Sequence, residues 1–340
     1  MGPRSGARTA TIGDLGDELG AGSERLREVV AAYLRRVRGS NVDAHGVIVC
    51  PGFRHGLNLA LRALVTHGID CVALEDPGPL QHDAIALRSG LTPVPVPVDE
   101  DGICVDAVAA SAARAVVVTP AHQCPTGVVL SSERRLALIE WARRVDGYVL
   151  EDDYDAEFRY DRQPVGSLQG LAPDRVLGMG SVSKTLVPML RLGWIGCPPV
   201  LLPAMIEEKQ LLGRGAPALD QLALAAFVES GRFDKHLRHA RTLYARRRQA
   251  LVDALATHAP DAVLSGLAAG CHAVLRLPDS YDEAQVVAGC ADRSVGVYGM
   301  SRYRSDGGTE PPELVIGFGN VTEPAIGRGI VVLGEVLRAG

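Results

Sequence analysis

Lysine is nearly missing from this chain. Lys184, Lys209 and Lys235 are all it has, and arginine fills the other 32 of its 35 basic positions in 340 residues. In a chain that uses arginine as its general surface cation, a retained lysine points to chemistry that guanidinium cannot do, since guanidinium is never deprotonated in proteins. Positive charge is short overall: the net charge is −5 and the isoelectric point near 6.0, which excludes the basic surface of a nucleic-acid binder. The seven cysteines are scattered and form no C-x-x-C pair. That excludes a disulfide frame and a zinc site and predicts reduced thiols. No apolar run approaches the ~20 residues of a membrane helix. The leading MGPRSGARTATIGDLG has no apolar signal core, and Gly6 breaks the myristoylation pattern. These absences predict a soluble, cytoplasmic protein without nucleic-acid or membrane partners.

What remains is globular: 47% hydrophobic and 22% charged residues. At about 100–200 residues per domain, the length predicts two domains or one with an appendage. Residues 1–22 are Gly-rich and polar and predict an arm; 23–230 predict a large domain and 231–340 a small one. After a helix opened by Ser23 and closed by Gly39, strand-like runs recur at 46–50, 71–75, 93–98, 115–119, 147–151, 175–180 and 192–196. Helical patterns such as 53–66 and 131–145 lie between most of them. Continuous apolar strands alternating with helices predict an α/β fold, a mainly parallel central sheet covered on both faces. Long helical stretches from about Pro199 to His258, short strands at 271–276, 294–298 and 313–318, and a final helix from Glu323 predict a smaller C-terminal α+β domain.

Ligands of open α/β sheets bind beyond the carboxyl ends of the strands. Four strand-like runs are followed there by polar segments: Pro51–Gly56, Pro120–Gly127, Asp152–Asp155 and Ser181–Thr185. Together they offer a lysine amine (Lys184), a carboxylate (Asp152 or Asp153), and for a phosphate Ser181, Ser183, Arg191 and the Gly52–Gly56 turn. That set suits pyridoxal phosphate. The lysine forms a Schiff base with the aldehyde, the carboxylate keeps the ring nitrogen protonated, and a helix N-terminus with hydroxyls and an arginine holds the phosphate. The acidic run at 152–157 is equally compatible with a metal or a solvated turn; we assign no metal and take Asp153, Asp155 and Glu157 as structural. Lys209 and Lys235 lie in polar helical contexts and are expected at the surface. Ser181–Lys184 also fits S-x-x-K of penicillin-recognising enzymes, but no K-T-G follows.

The stretches TPAHQCPTG, EDDYDAEFRY and SVSKTLVPMLRLGW, with GFRHGL, ALEDPG, VESGRFDKHLRH, YARRR and SRYR, resemble the aminotransferase-like domain of the MocR family. That family belongs to the fold-type I pyridoxal-phosphate enzymes of the aspartate aminotransferase superfamily. The resemblance runs from about Leu26 to Leu337. It implies Lys184 as the Schiff-base lysine, Asp152 at the ring nitrogen and Tyr154 at the phenolic oxygen. Ser181, Ser183 and Arg191 fall to the phosphate, with Gly52, Phe53 and Arg54 in the glycine turn. His122 and Gln123 fall beside the ring or its phenolic oxygen. It further implies a homodimer acting on an amino acid or other primary amine. Three departures stand out. The chain carries no winged-helix segment, which predicts a stand-alone domain. The glycine turn holds Phe53, Arg54 and His55. The stretch Pro311–Val315 lacks the arginine that grips a substrate carboxylate, leaving Arg302 and Arg304 as replacements. Transamination is the simplest activity implied; decarboxylation, elimination, cyclisation, oxidation or amine sensing without turnover are the alternatives.

Overall fold

The computed structural model describes residues 20–159, 165–213, 215–266 and 269–339. Most of the predicted arm, residues 1–19, lies outside them. The first helix is α1 (Glu24–Arg38), closed by Gly39 at φ 65°, a left-handed backbone that glycine adopts without steric cost. Six strands point the same way: β1 (Val47–Cys50), β2 (Cys71–Asp76), β3 (Thr92–Asp99), β5 (Ala115–Val118), β6 (Tyr148–Asp153) and β7 (Val176–Ser181). Two run against them, β4 (Gly102–Ile103) and β8 (Gly193–Gly196). The order is β1-β8-β7-β6-β5-β2-β3-β4. All seven strand-like runs form strands, and β4 adds one that the sequence pattern did not suggest.

Strands β1, β2, β5, β6, β7 and β8 are largely apolar because their alternating side chains feed cores on both faces of the sheet. In β5, Ala115 and Val117 pack toward α2 (Phe53–Thr66), α3 (His82–Ser89) and α7 (Leu202–Leu211). Val116 and Val118 pack toward α4 (Val105–Ala110), α5 (Ser132–Arg144) and α6 (Leu168–Leu171). On that second face α1, α8 (Ala218–Glu229) and the start of α9 (Arg232–His258) cover Val47, Val49 and Trp194. Helix α9 is 27 residues long, about 40 Å, and carries the chain onward. Its Phe233 and Leu237 lie in the first core, and its Leu251 and Leu255 in the second.

The second core lies under a four-stranded antiparallel sheet, β11-β12-β10-β9. Its strands are β9 (Val263–Ser265), β10 (His272–Arg276), β11 (Tyr298–Gly299) and β12 (Glu313–Gly317). One face, with Leu275, Leu314 and Ile316, packs on α9, α10 (Glu283–Asp292) and α11 (Glu323–Ala339). The other carries Val274 and Val315 against Met300. The run expected at 294–298 contracts to Tyr298–Gly299, since Ser294 takes φ 60° and interrupts extended backbone.

Lys235 is exposed as expected, but Lys209 is not. It is 1% exposed, and its ammonium donates to the Gly20 carbonyl. Burial of a cation is tolerable only when its donors are used. The polar neighbours in EEKQ conceal this, because the chain before α1 returns over α7 only in the folded molecule.

Candidate active site

Parallel strands place their carboxyl ends on one rim, and the four polar segments meet there. Side-chain alternation along β6 separates the two candidate aspartates. Glu151 accepts from the Leu168 and Gln169 amides at 2.9 and 3.0 Å, and Asp153 pairs with Arg38 at 2.5 Å. Asp152 projects to the other face, is 6% exposed, and its Oδ1 has no hydrogen-bond partner. Burial first, then the charges of Asp153, Glu75 and Asp155, raises its pKa well above the carboxylate range, while Lys184 opposes the shift. A carboxylate so placed is stabilised by a cationic donor aimed at it, and a protonated ring nitrogen has that chemistry. Lys184 is exposed at the same rim. Its charge acts on Asp152, Cys124, Cys271 and His272.

The phosphate candidates also gather. Gly52 caps α2 at φ 83°. The Arg191 guanidinium sits 3.4 Å from where a Gly52 Cβ would be and donates to the Pro51 carbonyl at 3.0 Å. Ser181 lies opposite Gly193, which lies opposite Cys50, so Ser181 is one strand away from this turn. Ser181 Oγ accepts from the Ser183 amide at 3.4 Å. Free amides at the start of α2, together with Arg191, form an anion cradle. Phe53 and Arg54 attach to this cradle differently: Phe53 packs its ring on His82 at 5.6 Å, and Arg54 acts on the same His82. Burial, then Arg54, lowers the His82 pKa to about 4.

Beside Asp152, His122 Nδ1 lies 2.8 Å from Asp155 Oδ2 and 3.1 Å from the Tyr154 hydroxyl. Asp155, taken above as merely structural, is thus part of the site. Gln123, expected beside the ring or its phenolic oxygen, bonds within its own loop. Its Nε2 contacts Glu75 Oε2, the Pro77 carbonyl and the Cys124 carbonyl at 3.2, 2.9 and 2.8 Å, and its Oε1 accepts from Thr126. Those contacts exhaust its amide and make it the scaffold of its own loop. Glu75, overlooked in the sequence, anchors that loop. It accepts from Thr119 N and Oγ1 at 3.1 and 2.6 Å, and burial raises its pKa to about 7.

His272 is the second residue that sequence reasoning missed. It enters from β10, with its ring 5.0 Å from that of His122. Nothing in Gly270-Cys271-His272 marks it as a site residue before the second sheet docks. His122, Asp155 and His272 bring ligand-type atoms within 4.8 Å of one another, a grouping the sequence did not suggest. Of the two arginines proposed for a substrate carboxylate, Arg304 is already engaged: it pairs with Glu313 at 3.1 Å and donates to the Gly308 and Pro311 carbonyls. Arg302 lies over the Tyr298 ring at 4.7 Å and lines a cavity of about 290 Å³ with Glu75, Pro79, His82 and Tyr303.

Residues 20–302 match the family described as aminotransferase class I and II. The uncharacterized HTH-type transcriptional regulator YhdI of Bacillus subtilis is 32% identical over 91% of this chain, which spans 66% of that regulator's length. The probable rhizopine catabolism regulatory protein MocR of Rhizobium meliloti is 37% identical over 71% of this chain and 49% of its own. The crystal structure of an archaeal alanine:glyoxylate aminotransferase superposes with a TM-score of 0.87 at 26% identity, covering 96% of this chain and 83% of that one. No described helix is long and apolar enough to cross a membrane.

Proposed function

The chain belongs to the aminotransferase class I and II family, and from that premise we propose that it is a catalyst acting on the amino group of a small amino acid or other primary amine, most simply by transamination. The family's cofactor is pyridoxal phosphate. When bound, it supplies an aldehyde that exchanges between a lysine and a substrate amine, and a ring that takes up electrons from the carbon bearing that amine. The observation that carries this reading is the unpartnered, buried Asp152 Oδ1 on the rim that also holds Lys184 and the Gly52–Arg191 cradle.

In this reading Asp152, as a carboxylate, would face the ring nitrogen and keep that nitrogen protonated, and Tyr154 would donate to the phenolic oxygen. Gly52, Phe53, Arg54, Ser181, Ser183 and Arg191 surround the phosphate, Arg191 and the α2 amides holding its charge. His122 flanks the ring. Lys184 would hold the cofactor and supply the amine that takes up the proton from the substrate carbon. The substrate's far end faces the cavity beside Arg302, while Arg304 supports the loop rather than the substrate. We further propose a cytoplasmic homodimer, with residues 23–230 and 231–340 as its two domains. A second reading is favoured by the matches to YhdI and MocR: an effector module that binds an amine and stops there.

Absorption spectroscopy tests the core of both. Cofactor-loaded protein is expected to show a visible band that borohydride bleaches while fixing the cofactor to the chain, and Lys184→Ala to show neither. A wild type that gains no band with added cofactor would overturn the assignment. Repeated release of a keto product from an amino donor marks the enzyme; one spectral change per site without product marks the module.

A further inference from the structure

The hydrogen bonds around Tyr154 have a direction that the site's composition alone does not fix. His122 Nδ1 is shared by two oxygens, Asp155 Oδ2 at 2.8 Å and the Tyr154 hydroxyl at 3.1 Å. One proton lies between the Asp155 oxygen and this ring nitrogen, and a proton held on Nδ1 makes Asp155 its acceptor. Tyr154 then cannot donate to that nitrogen, and its own O–H is left for another acceptor. Burial first, then the Asp155 charge, raises the Tyr154 pKa well above the usual phenol range, so it keeps that proton.

The second sheet closes over this arrangement. His272 Nε2 donates to the Pro125 carbonyl, in the loop that carries His122, at 3.1 Å. Its ring stacks at 26° to Tyr154, with centroids 6.5 Å apart. Two residues earlier, Gly270 has no side chain to spare: a Cβ there would come within 2.3 Å of Asp155 Oδ2 and 2.7 Å of His122 Cε1. The titratable groups facing Tyr154 are Asp152 and Asp155 from β6 and the turn after it, His122 and Cys124 from the loop after β5, Cys271 just before β10 and His272 at its start.

We propose that Asp155 and His272 are positioning residues for Tyr154. Asp155 fixes the proton on His122, so that the Tyr154 hydroxyl must donate into the cofactor site. His272 holds this geometry together from the second sheet. The inference rests on the reading of Lys184 and its cofactor given above, and its test separates the two.

The first measurement needs no cofactor. Nitrogen-15 NMR of the full chain at neutral pH is expected to find His122 Nδ1 protonated; an unprotonated Nδ1 overturns the proposal. The second titrates the visible lysine-linked band. Removing a hydrogen bond donated to an anionic oxygen makes the linked system more basic, so Tyr154→Phe moves the midpoint up by about one pH unit. Asp155→Asn is expected to produce most of that shift, and the double variant no more than Tyr154→Phe alone. Additive shifts, or a midpoint unmoved by Asp155→Asn, overturn the proposal. His272→Ala is expected to give a smaller shift in the same direction, and His272→Gln, which keeps an N–H for Pro125, to restore most of it; equal shifts in the two overturn the role of His272. A wild type without any band refutes the cofactor reading, while the NMR result still decides the direction of the His122 hydrogen bond.

Discussion

Two lysines in this molecule occupy opposite kinds of surroundings. Lys209, on the flank where the chain before α1 crosses α7, is 1% exposed and donates to the Gly20 carbonyl. Lys184 stands exposed on the rim, above a buried Asp152 whose Oδ1 has no partner. Scarcity marked both residues equally. The flank uses its lysine as arginine is commonly used elsewhere in the chain, to satisfy backbone. The rim holds an amine near carboxyl groups that are themselves incompletely bonded, an arrangement that stabilises the fold little and suits an incoming ligand. Retention of a rare residue therefore identifies constraint, and the state of the neighbouring polar atoms identifies its kind.

Exchanging the two lysines' roles is the strongest way to break this contrast. Lys184→Ala is expected to abolish the visible band and its covalent fixation by borohydride, and to lower amino-donor turnover by about 10²–10⁴-fold, with thermal unfolding unchanged. A variant that retains turnover would remove Lys184 from the chemistry.

Next in size is Glu75, a rim carboxyl that is buried yet fully bonded. Its pKa is raised from 4.5 to about 7, so the fold disfavours its charged form. Below pH 4.5 it is protonated in both states, and the stability tied to its neutral form is fully present. That stability is lost as pH rises toward and through 7. Glu75→Gln removes this loss, so the variant should gain about 3 kcal/mol on the wild type between pH 4.5 and 8 in denaturant titrations. A difference constant with pH would show that Glu75 is not the titrating group. Glu157, also raised to about 7, is common to both proteins and cancels.

Lys209→Met should leave the cofactor band untouched and cost about 1–3 kcal/mol, because the buried Gly20 carbonyl loses its donor; a perturbed band with unchanged stability would invert the contrast. The smallest effect is expected at the two arginines beside the cavity. Arg302→Gln should raise the KM of an acidic amine by several-fold at unchanged kcat, as for an exposed charge contact worth about 1 kcal/mol or less. Arg304→Gln should instead lower the unfolding midpoint, and the opposite assignment would show that Arg304 leaves Glu313 to meet the substrate.

Much of the sheet was legible because both of its faces are buried. The apolar runs at 115–119 and 147–151 needed no partner to announce themselves, and short connections fixed their direction. Strands β4 and β9 and the shortened β11 were not legible, being only 2 or 3 residues long and held by neighbours rather than by pattern. Among candidate site residues, Asp152 and Ser181 lie at strand ends, Gly52 and Lys184 come two or three residues past one, and Arg191 comes just before β8, so local order placed them. Gln123 and Arg304 lie in equally suggestive stretches, yet their side chains are consumed by contacts with Glu75 and Glu313 that local sequence does not reveal.

By itself, then, the sequence determined the parallel α/β frame, the family resemblance and the place of Lys184 just past a strand end, because periodicity and strand-end motifs are local properties. Only the tertiary structure decided which polar atoms stay unpartnered. Asp152 was separated from Asp153 by the pleat of β6, Lys209 was buried by a returning segment, and His272 reached His122 from 150 positions further along the chain. Whether a polar group is satisfied depends on what docks against it, and that is fixed only when distant segments pack.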